Sequence, residues 1–470
     1  MAEDEPLTDN RLLPEPSSRS ATLTLLLLVA GYLAILLGLI PVKPLWLDEV
    51  LQLTGTVLSD WGKFIQHVVA TPGGAPLGYL SQHWLVSAVG LNIWSARLVS
   101  VLAGTLGMML FAVLAGKTGL SPASVIVAVC LWMICPSLLR YSLEARPYMQ
   151  ALALAIAAVL CQQRLESTGD LKWALAVIAC LGAAVYSQPF AIFAPVGYAL
   201  FSLPFKPRKY QSLTCAAMAA AVFLFLPWYF LTRHHWSAAI SQTKGGFELK
   251  WSLAFILIKE CLGDGYAASV PVLVLAGRRA WRTWRSPAAG SQAPIIGAIL
   301  SGVVLALTSD ALFNYFYANR QLLYVLPFVL LIAADEIVYL WSRGGVRRAL
   351  MIALVSLFAA ASVDKDYRYF SDTHEDWSGF TAKIAESLDG GCLLAPDKND
   401  IELYAIFNPH IPASVCDSAA LARRVIVARH AYTDPQAGQS AESGLLRAGY
   451  TRVATQKLGF GEIDEFELTR

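Results

Sequence analysis

Long apolar runs recur along most of this chain. Between residues 21 and 362 they are separated by short stretches rich in glycine, proline and charged side chains. A helix of about 20 apolar residues crosses the hydrocarbon core of a bilayer, and several of these runs approach that length. The pattern predicts eleven membrane-spanning helices, at residues 21–40, 95–116, 121–138, 147–161, 173–187, 190–203, 211–230, 252–276, 294–309, 321–341 and 347–362.

Two apolar stretches carry polar side chains that change this picture. Residues 75–90 include Gln82 and His83, which favours an interfacial or re-entrant helix over a span. The span at 252–276 carries Lys259, Glu260 and Asp264, so its first half can instead lie at the outer surface.

The pattern changes after residue 362. Residues 363–470 are richer in charged residues and proline and contain no apolar run long enough to cross a membrane. Residues 391–395 and 424–428 are typical of short buried strands, whereas 377–388 and 440–448 are typical of helices. The chain is therefore predicted to have a disordered cytoplasmic tail at 1–20, a transmembrane domain at 21–362 and a small extracytoplasmic α/β domain at 363–470.

Composition supports a membrane protein and excludes other classes. Of the 470 residues, 56% are hydrophobic and 15% charged, and the mean hydropathy of +0.52 is too high for an ordinary soluble protein. The net charge of +2, without an extended basic stripe, argues against a nucleic-acid partner. Cys392 and Cys416 are the only two cysteines of the predicted C-terminal domain, and the sequence leaves open whether they form a disulfide.

Basic residues predict the orientation of the spans. One set of connecting loops carries 13 lysines and arginines, and the opposite, longer set carries 8. Because cytoplasmic loops are enriched in lysine and arginine, the first set is predicted to be cytoplasmic. Eleven spans then place the C-terminal domain outside, and we expect an integral protein of the inner (plasma) membrane of a bacterium, with its active site on the outer face.

An acidic pair, Asp48 and Glu49, follows the first span. Carboxylates at a membrane surface cost free energy, so we expect a function for them, with Asp48 accepting a proton from, or orienting, a hydroxyl group. An alternative is purely structural. Asp48 can cap a helix over residues 49–58, with Glu49 at the positive end of that helix.

A second polar cluster lies in residues 140–148. Arg140 and Arg146 can each hold a phosphate through paired charge-assisted hydrogen bonds, and paired arginines are unexpected on an outer face. The alternative is a salt bridge between Glu144 and one of the arginines. Arg320, among aromatic residues typical of a membrane interface, is a further outer cation, and its alternative is a solvated helix start.

These segments together resemble those of C-type polytopic glycosyltransferases, specifically the group of protein O-mannosyltransferases, lipid A aminoarabinose transferases and Rgt-like sugar transferases. The resemblance covers the chain from residue 21. The matching segments are residues 45–49, 75–79, 95–98, 141–148, 319–327 and 375–377. Ala75 and Gly78 depart from the Pro-Pro-Leu-Tyr-Tyr pattern of the second segment, and Val99 stands where proline is usual after the third.

The resemblance implies a C-type glycosyltransferase fold and transfer of a hexosyl or pentosyl group from a polyprenyl-phosphate donor to a lipid, glycan or protein acceptor, with membrane lipids around the enzyme. It implies Asp48 as the base and Glu49 as a helper or acceptor contact. Arg146 and Arg320 would bind the donor phosphate. The other expected substrate-binding residues are Arg140, Tyr141, Glu144, Tyr148, Gln188 and Tyr324.

We expect no cofactor and no bound metal, because the second outer segment offers Glu144 and two arginines and not a pair of aspartates; a divalent ion is not excluded. A different class, a transporter or flippase of lipid-linked glycans, is the alternative. That class places polar residues at the middle of the membrane and often has an internal repeat, whereas here the polar groups gather at one face.

Overall fold

The computed structural model describes residues 18–71, 74–243, 258–259, 262, 265–285, 292–313, 319–372, 375–388, 390–416 and 422–469. Residues 1–17 of the tail predicted at 1–20 lie outside the described residues. Most of the first half of the span predicted at 252–276 also lies outside them.

The described chain is mostly helical and carries one small sheet near its C-terminus. Its α-helices are α1 Ser18–Leu39, α2 Leu47–Thr56, α3 Trp61–Ala70, α4 Pro76–Val89, α5 Ile93–Lys117, α6 Pro122–Met133, α7 Pro136–Leu143, α8 Tyr148–Thr168, α9 Leu171–Ser187, α10 Phe193–Ser202, α11 Arg208–Thr243, α12 Tyr266–Trp284, α13 Ala293–Phe313, α14 Leu326–Arg343, α15 Gly345–Ser371, α16 Trp377–Ser387, α17 Lys398–Phe407 and α18 Pro435–Arg447. Short 3-10 helices include Pro189–Ile192 and Asn319–Val325. The strands are β1 Cys392–Leu394, β2 Arg424–His430, β3 Tyr450–Lys457 and β4 Gly461–Leu468.

The chain packs into two compact units. The first unit contains Met1–Leu39, Ile65–Leu85 and Arg97–Arg368, and the second contains Ile40–Phe64, Val86–Ala96 and Tyr369–Arg470. The C-terminal α/β segment thus packs as one body with the segment that carries Asp48 and Glu49, some 320 residues earlier. The domain boundary predicted after residue 362 falls inside α15, which continues to Ser371 without a break.

Five helices of the described residues are long and apolar enough to cross a membrane, or six if the bent pair α6 and α7 forms one span. The five are Arg19–Leu39, Ile93–Lys117, Arg208–His235, Leu322–Arg343 and Gly345–Ser371, and shorter apolar helices are Leu171–Ser187, Pro189–Phe205 and Ala293–Thr308. A polytopic helical protein is thereby confirmed, whereas the full number of eleven spans stays a prediction.

The helix predicted across 121–138 is interrupted after its first two thirds. Helix α6 ends at Met133, and α7 starts at Pro136 after a bend of 58°. The cause is Pro136, whose ring disfavours helical geometry at the preceding residue, and Cys135 is accordingly extended with φ −76° and ψ 114°. Arg140 therefore lies inside a short helix and not in a loop as predicted.

Small side chains let the helices of the first unit pack closely. One core cluster joins α8, α9, α10 and α11 through residues of which most are alanine, namely Ala158, Leu181, Ala199, Met218 and Ala221. Alanine at such contacts allows helix backbones to approach, which is how helices associate in a bilayer where lipid tails offer no hydrophobic contrast.

The sheet of the second unit has the strand order β1-β2-β4-β3. β1 pairs with β2 in parallel through a crossover that contains α17, and β4 pairs antiparallel with both β2 and β3. One face buries Val425, Val427 and Phe466. A disulfide joins Cys392 to Cys416, which answers the question that the sequence left open.

The predicted elements of this sheet are confirmed, with shifted ends. The two predicted strands correspond to β1 and β2, and the helix at 377–388 corresponds to α16. The helix predicted at 440–448 starts earlier, at Pro435, because Asp434 caps it by accepting a hydrogen bond from the Gln436 amide at 3.0 Å. Proline at the first helical position suits that start, since its missing N–H has no partner there.

Candidate functional site

The acidic pair lies in the first turn of α2, and its two carboxylates have different environments. Trp46 is the residue before the helix, and the Glu49 carboxylate accepts a hydrogen bond from the Trp46 amide at 3.2 Å. Glu49 is fully buried, whereas Asp48 is half-buried. The structural alternative for Asp48, a cap for a helix starting at residue 49, is therefore wrong. Glu49 provides the acceptor for the backbone amide before the first turn of α2, and the Asp48 carboxylate is not needed for that purpose.

Glu375 holds this helix start from the C-terminal segment. One carboxylate oxygen accepts the Leu47 amide at 2.6 Å, and the other accepts the Tyr432 hydroxyl at 2.5 Å. The Leu47 N–H belongs to the first turn of α2, where amides have no acceptor within the helix. Glu375 therefore fixes the residue next to Asp48 with a charged acceptor, which makes a stronger hydrogen bond than a neutral one.

Tyr432 lies in an acidic environment. Partial burial raises the pKa of its hydroxyl well above the usual value, and the hydrogen bond to Glu375 and the negative charges of Glu375, Asp48 and Asp372 raise that pKa further. The phenol is therefore neutral at any physiological pH and remains a hydrogen-bond donor. The effect of Asp48 on this pKa shows that its carboxylate lies near the Tyr432 hydroxyl. The Tyr432 side chain is half exposed.

The turn that carries Tyr432 is itself fixed. The Tyr432 amide donates to Nδ1 of His430 at 3.1 Å, so Nδ1 is an acceptor and the ring proton lies on Nε2. Nε2 lies 3.0 Å from an Asp400 carboxylate oxygen, and Thr433 donates to the other oxygen at 3.3 Å. His430 and Asp400 are buried, and the hydrogen bonds tie the turn after β2 to α17.

A lysine completes this group of charges in the second unit. Lys43 lies 3.8 Å from the Asp372 carboxylate and 3.9 Å from the centre of the Tyr369 ring. These contacts link the chain just before α2 to the end of α15. No local pattern had marked Lys43 or Tyr432 as site residues, and Glu375 was only part of the matching segment 375–377.

The 140–148 segment belongs to the first unit and is rigidly held. Arg140 Nε lies 3.0 Å from Glu144 Oε1, and the Glu144 side chain is fully buried while that of Arg140 is 41% exposed. The predicted alternative of a salt bridge to Glu144 is thus confirmed. A buried carboxylate requires such a partner, so Glu144 orients Arg140 and leaves part of the guanidinium accessible.

Arg146 lies in the tight bend between α7 and α8, where its amide donates to the Glu144 carbonyl at 2.7 Å. Its carbonyl oxygen accepts the Ser100 hydroxyl of α5 at 3.0 Å, and its guanidinium lies 3.5 Å from the Tyr148 hydroxyl. The rings of Tyr141 and Tyr148 contact each other edge to face, with centres 5.2 Å apart. The structure therefore brings together five of the predicted substrate-binding residues, namely Arg140, Tyr141, Glu144, Arg146 and Tyr148.

Two glycines allow neighbouring helices to touch this segment. A Cβ atom on Gly78 of α4 would lie only 2.4 Å from Pro147 Cβ, and one on Gly104 of α5 would lie 2.3 Å from Ser142 Oγ. Gly78 is a position at which the chain departs from the family pattern, and the contact with Pro147 gives the physical reason for glycine there.

Arg97 is a residue that the sequence reasoning did not assign to the site. It is only 2% exposed and lies on α5 one turn before Ser100, which contacts Arg146, and two turns before Gly104. A buried guanidinium needs compensating partners, so Arg97 is a fixed part of α5 near the point where that helix contacts the segment. The segment at residues 95–98, which contains Arg97 and matches the family pattern, was the sequence signal that could have identified it.

The remaining predicted residues are only partly described. Gln188 ends α9 in an extended conformation, and its carbonyl accepts the Ala191 amide at 3.0 Å. Tyr324 is buried in the 3-10 helix Asn319–Val325. The backbone of Arg320 lies in that same helix, and its side chain lies outside the described residues. Asp48 and Glu49 belong to the second unit, whereas the 140–148 segment belongs to the first.

Within the described part of the chain, no group of three or more histidine, cysteine, aspartate or glutamate side chains is arranged to hold a metal ion.

Comparison with known proteins supports the resemblance. The family model described as dolichyl-phosphate-mannose-protein mannosyltransferase matches residues 74–230, which include the 140–148 segment. No curated protein sequence matches the chain significantly.

Solved structures match over nearly the whole chain. ArnT from Cupriavidus metallidurans bound to undecaprenyl phosphate has a TM-score of 0.60 at 12% identity, with 94% of this chain and 97% of ArnT covered. Its apo form has a TM-score of 0.60 at 11% identity, covering 95% and 98%. The oligosaccharyltransferase AglB from Archaeoglobus fulgidus has a TM-score of 0.51 at 11% identity, covering 86% and 69%. The C-type glycosyltransferase fold expected from the sequence is confirmed.

Proposed function

We propose that this protein is a glycosyltransferase that moves a sugar from a polyprenyl-phosphate donor to an acceptor hydroxyl outside the cytoplasm. The observation that carries the proposal is the match over 94% of the chain to ArnT, which was crystallised with undecaprenyl phosphate. The coincidence of the family match with the arginine-bearing 140–148 segment supports it independently.

In the proposed reaction the acceptor oxygen attacks the anomeric carbon of the donor sugar while the bond from that carbon to the phosphate oxygen breaks. The acceptor proton passes to the Asp48 carboxylate, and polyprenyl phosphate leaves with its charge held by arginine. A single displacement inverts the anomeric carbon. Asp48 suits the role of base because Glu49 already caps the helix, and Glu375 holds the adjacent amide.

Arg146 and Arg320 are assigned to the donor phosphate, and Arg140, oriented by Glu144, assists them. A guanidinium is well suited to this task since it stays charged and binds two phosphate oxygens at once. Tyr141, Tyr148, Gln188 and Tyr324 are assigned to substrate contacts. The active site on the outer face of a bacterial inner membrane is part of this proposal.

The test is transfer by purified protein in detergent. Polyprenyl-phosphate sugars are supplied with extracts of cell-envelope lipids and glycans as acceptors, and release of free polyprenyl phosphate together with a new glycosylated product is measured by mass spectrometry. An enzyme forms both in equal amounts. A transporter or flippase has no membrane to work across in detergent and forms neither, so intact donor after long incubation with every acceptor class contradicts the proposal.

A further inference from the structure

A polar cavity lies in the first unit, at the opposite end of α8 from the 140–148 segment. α8 begins at Tyr148 and has 21 residues, so its two ends are about 30 Å apart, which is the thickness of a bilayer core. The cavity has a volume of about 430 Å³ and is lined by residues from the ends of several helices. Helix α5, which is long and apolar enough to cross a membrane, contacts the 140–148 segment through Ser100 and ends in the cavity at Lys117, so we expect the cavity at the opposite membrane surface.

Three cations from three separate parts of the chain line this cavity. Lys117 ends α5, Arg164 lies in the last turns of α8, and Lys206 precedes α11. None of the three forms an ion pair with any residue that the structure describes. In contrast, Arg278 and Arg282 both contact the buried Glu336, at 3.0 and 2.9 Å.

One carboxylate also lines the cavity, but it is already bound by neutral donors. Glu166 is 4% exposed, and a single oxygen of its carboxylate accepts Gln162 Nε2 at 2.6 Å and the Ser202 hydroxyl at 2.8 Å. The formal charge of the lining is thus three positive against one negative. The cavity therefore has an excess of positive charge that suits an anion.

A hydroxyl group adds to the donors in the cavity. The Tyr198 oxygen accepts a hydrogen bond from Gln163 Nε2 at 2.9 Å, which leaves the phenolic proton for donation to another group. The wall of the cavity is apolar, with Val113, Leu160 and Trp173, and Val113 is 51% exposed. Cations and a hydroxyl beside an exposed apolar wall match a phosphate group attached to an acyl chain.

We propose that this cavity binds the phosphate headgroup of an anionic phospholipid of the surrounding membrane. Lys117, Arg164 and Lys206 contact the phosphate, Tyr198 donates a hydrogen bond to it, and the apolar wall contacts the first part of the lipid tail. Basic pockets between membrane helices bind anionic headgroups in this way. The proposal does not depend on the glycosyltransferase reaction.

The probe is phosphatidylglycerol, added to delipidated protein in detergent, with bound lipid counted by native mass spectrometry. The triple variant Lys117→Gln, Arg164→Gln, Lys206→Gln should bind phosphatidylglycerol roughly a hundredfold more weakly, since each basic residue contributes about a factor of five. Zwitterionic phosphatidylcholine should bind the parent weakly and the triple variant equally weakly.

A matched control variant removes the same charge outside the cavity. Arg208, Lys209 and Arg347 are exposed and do not line it, so changing all three to glutamine should leave phosphatidylglycerol binding unchanged. Tyr198→Phe keeps every charge and should weaken binding about tenfold, which tests the site even if the triple variant fails to fold.

Three results overturn the proposal. The first is equal binding of phosphatidylglycerol by the parent and by the cavity triple variant. The second is an equal loss of phosphatidylglycerol affinity in the control triple variant and the cavity variant, which would mean that general surface charge holds the lipid. The third is displacement of the lipid from the parent by excess inorganic phosphate, which would identify a site for free phosphate.

Discussion

The contact between Glu375 and the start of α2 allows a quantitative prediction about the proposed base. Glu375→Ala removes the acceptor of the Leu47 amide at 2.6 Å and of the Tyr432 hydroxyl at 2.5 Å. Hydrogen bonds to a charged group contribute about 1.5–3 kcal/mol each. Because Tyr432 is half exposed, its hydroxyl can bond to water instead, and the Leu47 contact dominates the loss.

If that free energy serves to position Asp48, kcat falls by about 10- to 100-fold, as 1.4 kcal/mol corresponds to a factor of ten. Glu375→Gln keeps one carbonyl acceptor and should lower kcat about fivefold. Donor affinity, measured by equilibrium binding of the polyprenyl-phosphate sugar, should not change in either variant, because Glu375 acts through Leu47 and does not touch the phosphate site as proposed.

The matched control is Glu386→Gln. Glu386 lies in the same segment on α16, its side chain is 64% exposed, and its ion pair with Lys383 is a surface contact of small energetic value. It should retain parental kcat. The reasoning is refuted if Glu375→Ala turns over like the parent while Asp48→Asn is inactive. If both variants are fully active, the assignment of Asp48 fails as well.

Other predictions follow from single contacts. Gly78→Ala should lower thermal stability by about 1–3 kcal/mol, because its new methyl group meets a proline side chain at 2.4 Å, whereas Gly38→Ala, with open space around it, should not. Arg146→Lys and Arg320→Lys should each weaken polyprenyl-phosphate binding in nanodiscs and the alanine variants more, and parental binding by both alanine variants would remove them from the donor site. Cys392→Ser should destabilise the C-terminal sheet by about 3 kcal/mol in chemical denaturation, given the 24-residue separation of the disulfide, and an unchanged midpoint would contradict this.

Local sequence patterns predicted the helical membrane domain and the C-terminal strands well. Apolar runs report burial directly, and the short continuous apolar runs of β1 and β2 mark buried strands. The same approach failed at Cys135 and Pro136, because the segment is apolar on both sides of the bend. Apolar composition does not show whether the helix axis bends, and Pro136 was the only sign of the break.

Contacts distant in sequence could not be predicted from pattern. The hydrogen bond from the Leu47 amide to Glu375 joins residues 328 positions apart, and no local rule links them. The structural alternative for Asp48, a helix cap, was wrong for a related reason. Asp48 and Glu49 are both good residues for a helix start, and only the position of Trp46 before the helix shows that Glu49 has that role.

The most direct test of the central claim is single-turnover transfer by the parent and by Asp48→Asn, at saturating polyprenyl-phosphate sugar and with an acceptor identified in the detergent assay. Asparagine keeps the size of aspartate but cannot take the acceptor proton. The account predicts unchanged donor affinity and a transfer rate at least about a hundredfold lower. A rate close to that of the parent would contradict the account, because the proton would then have to leave by another route.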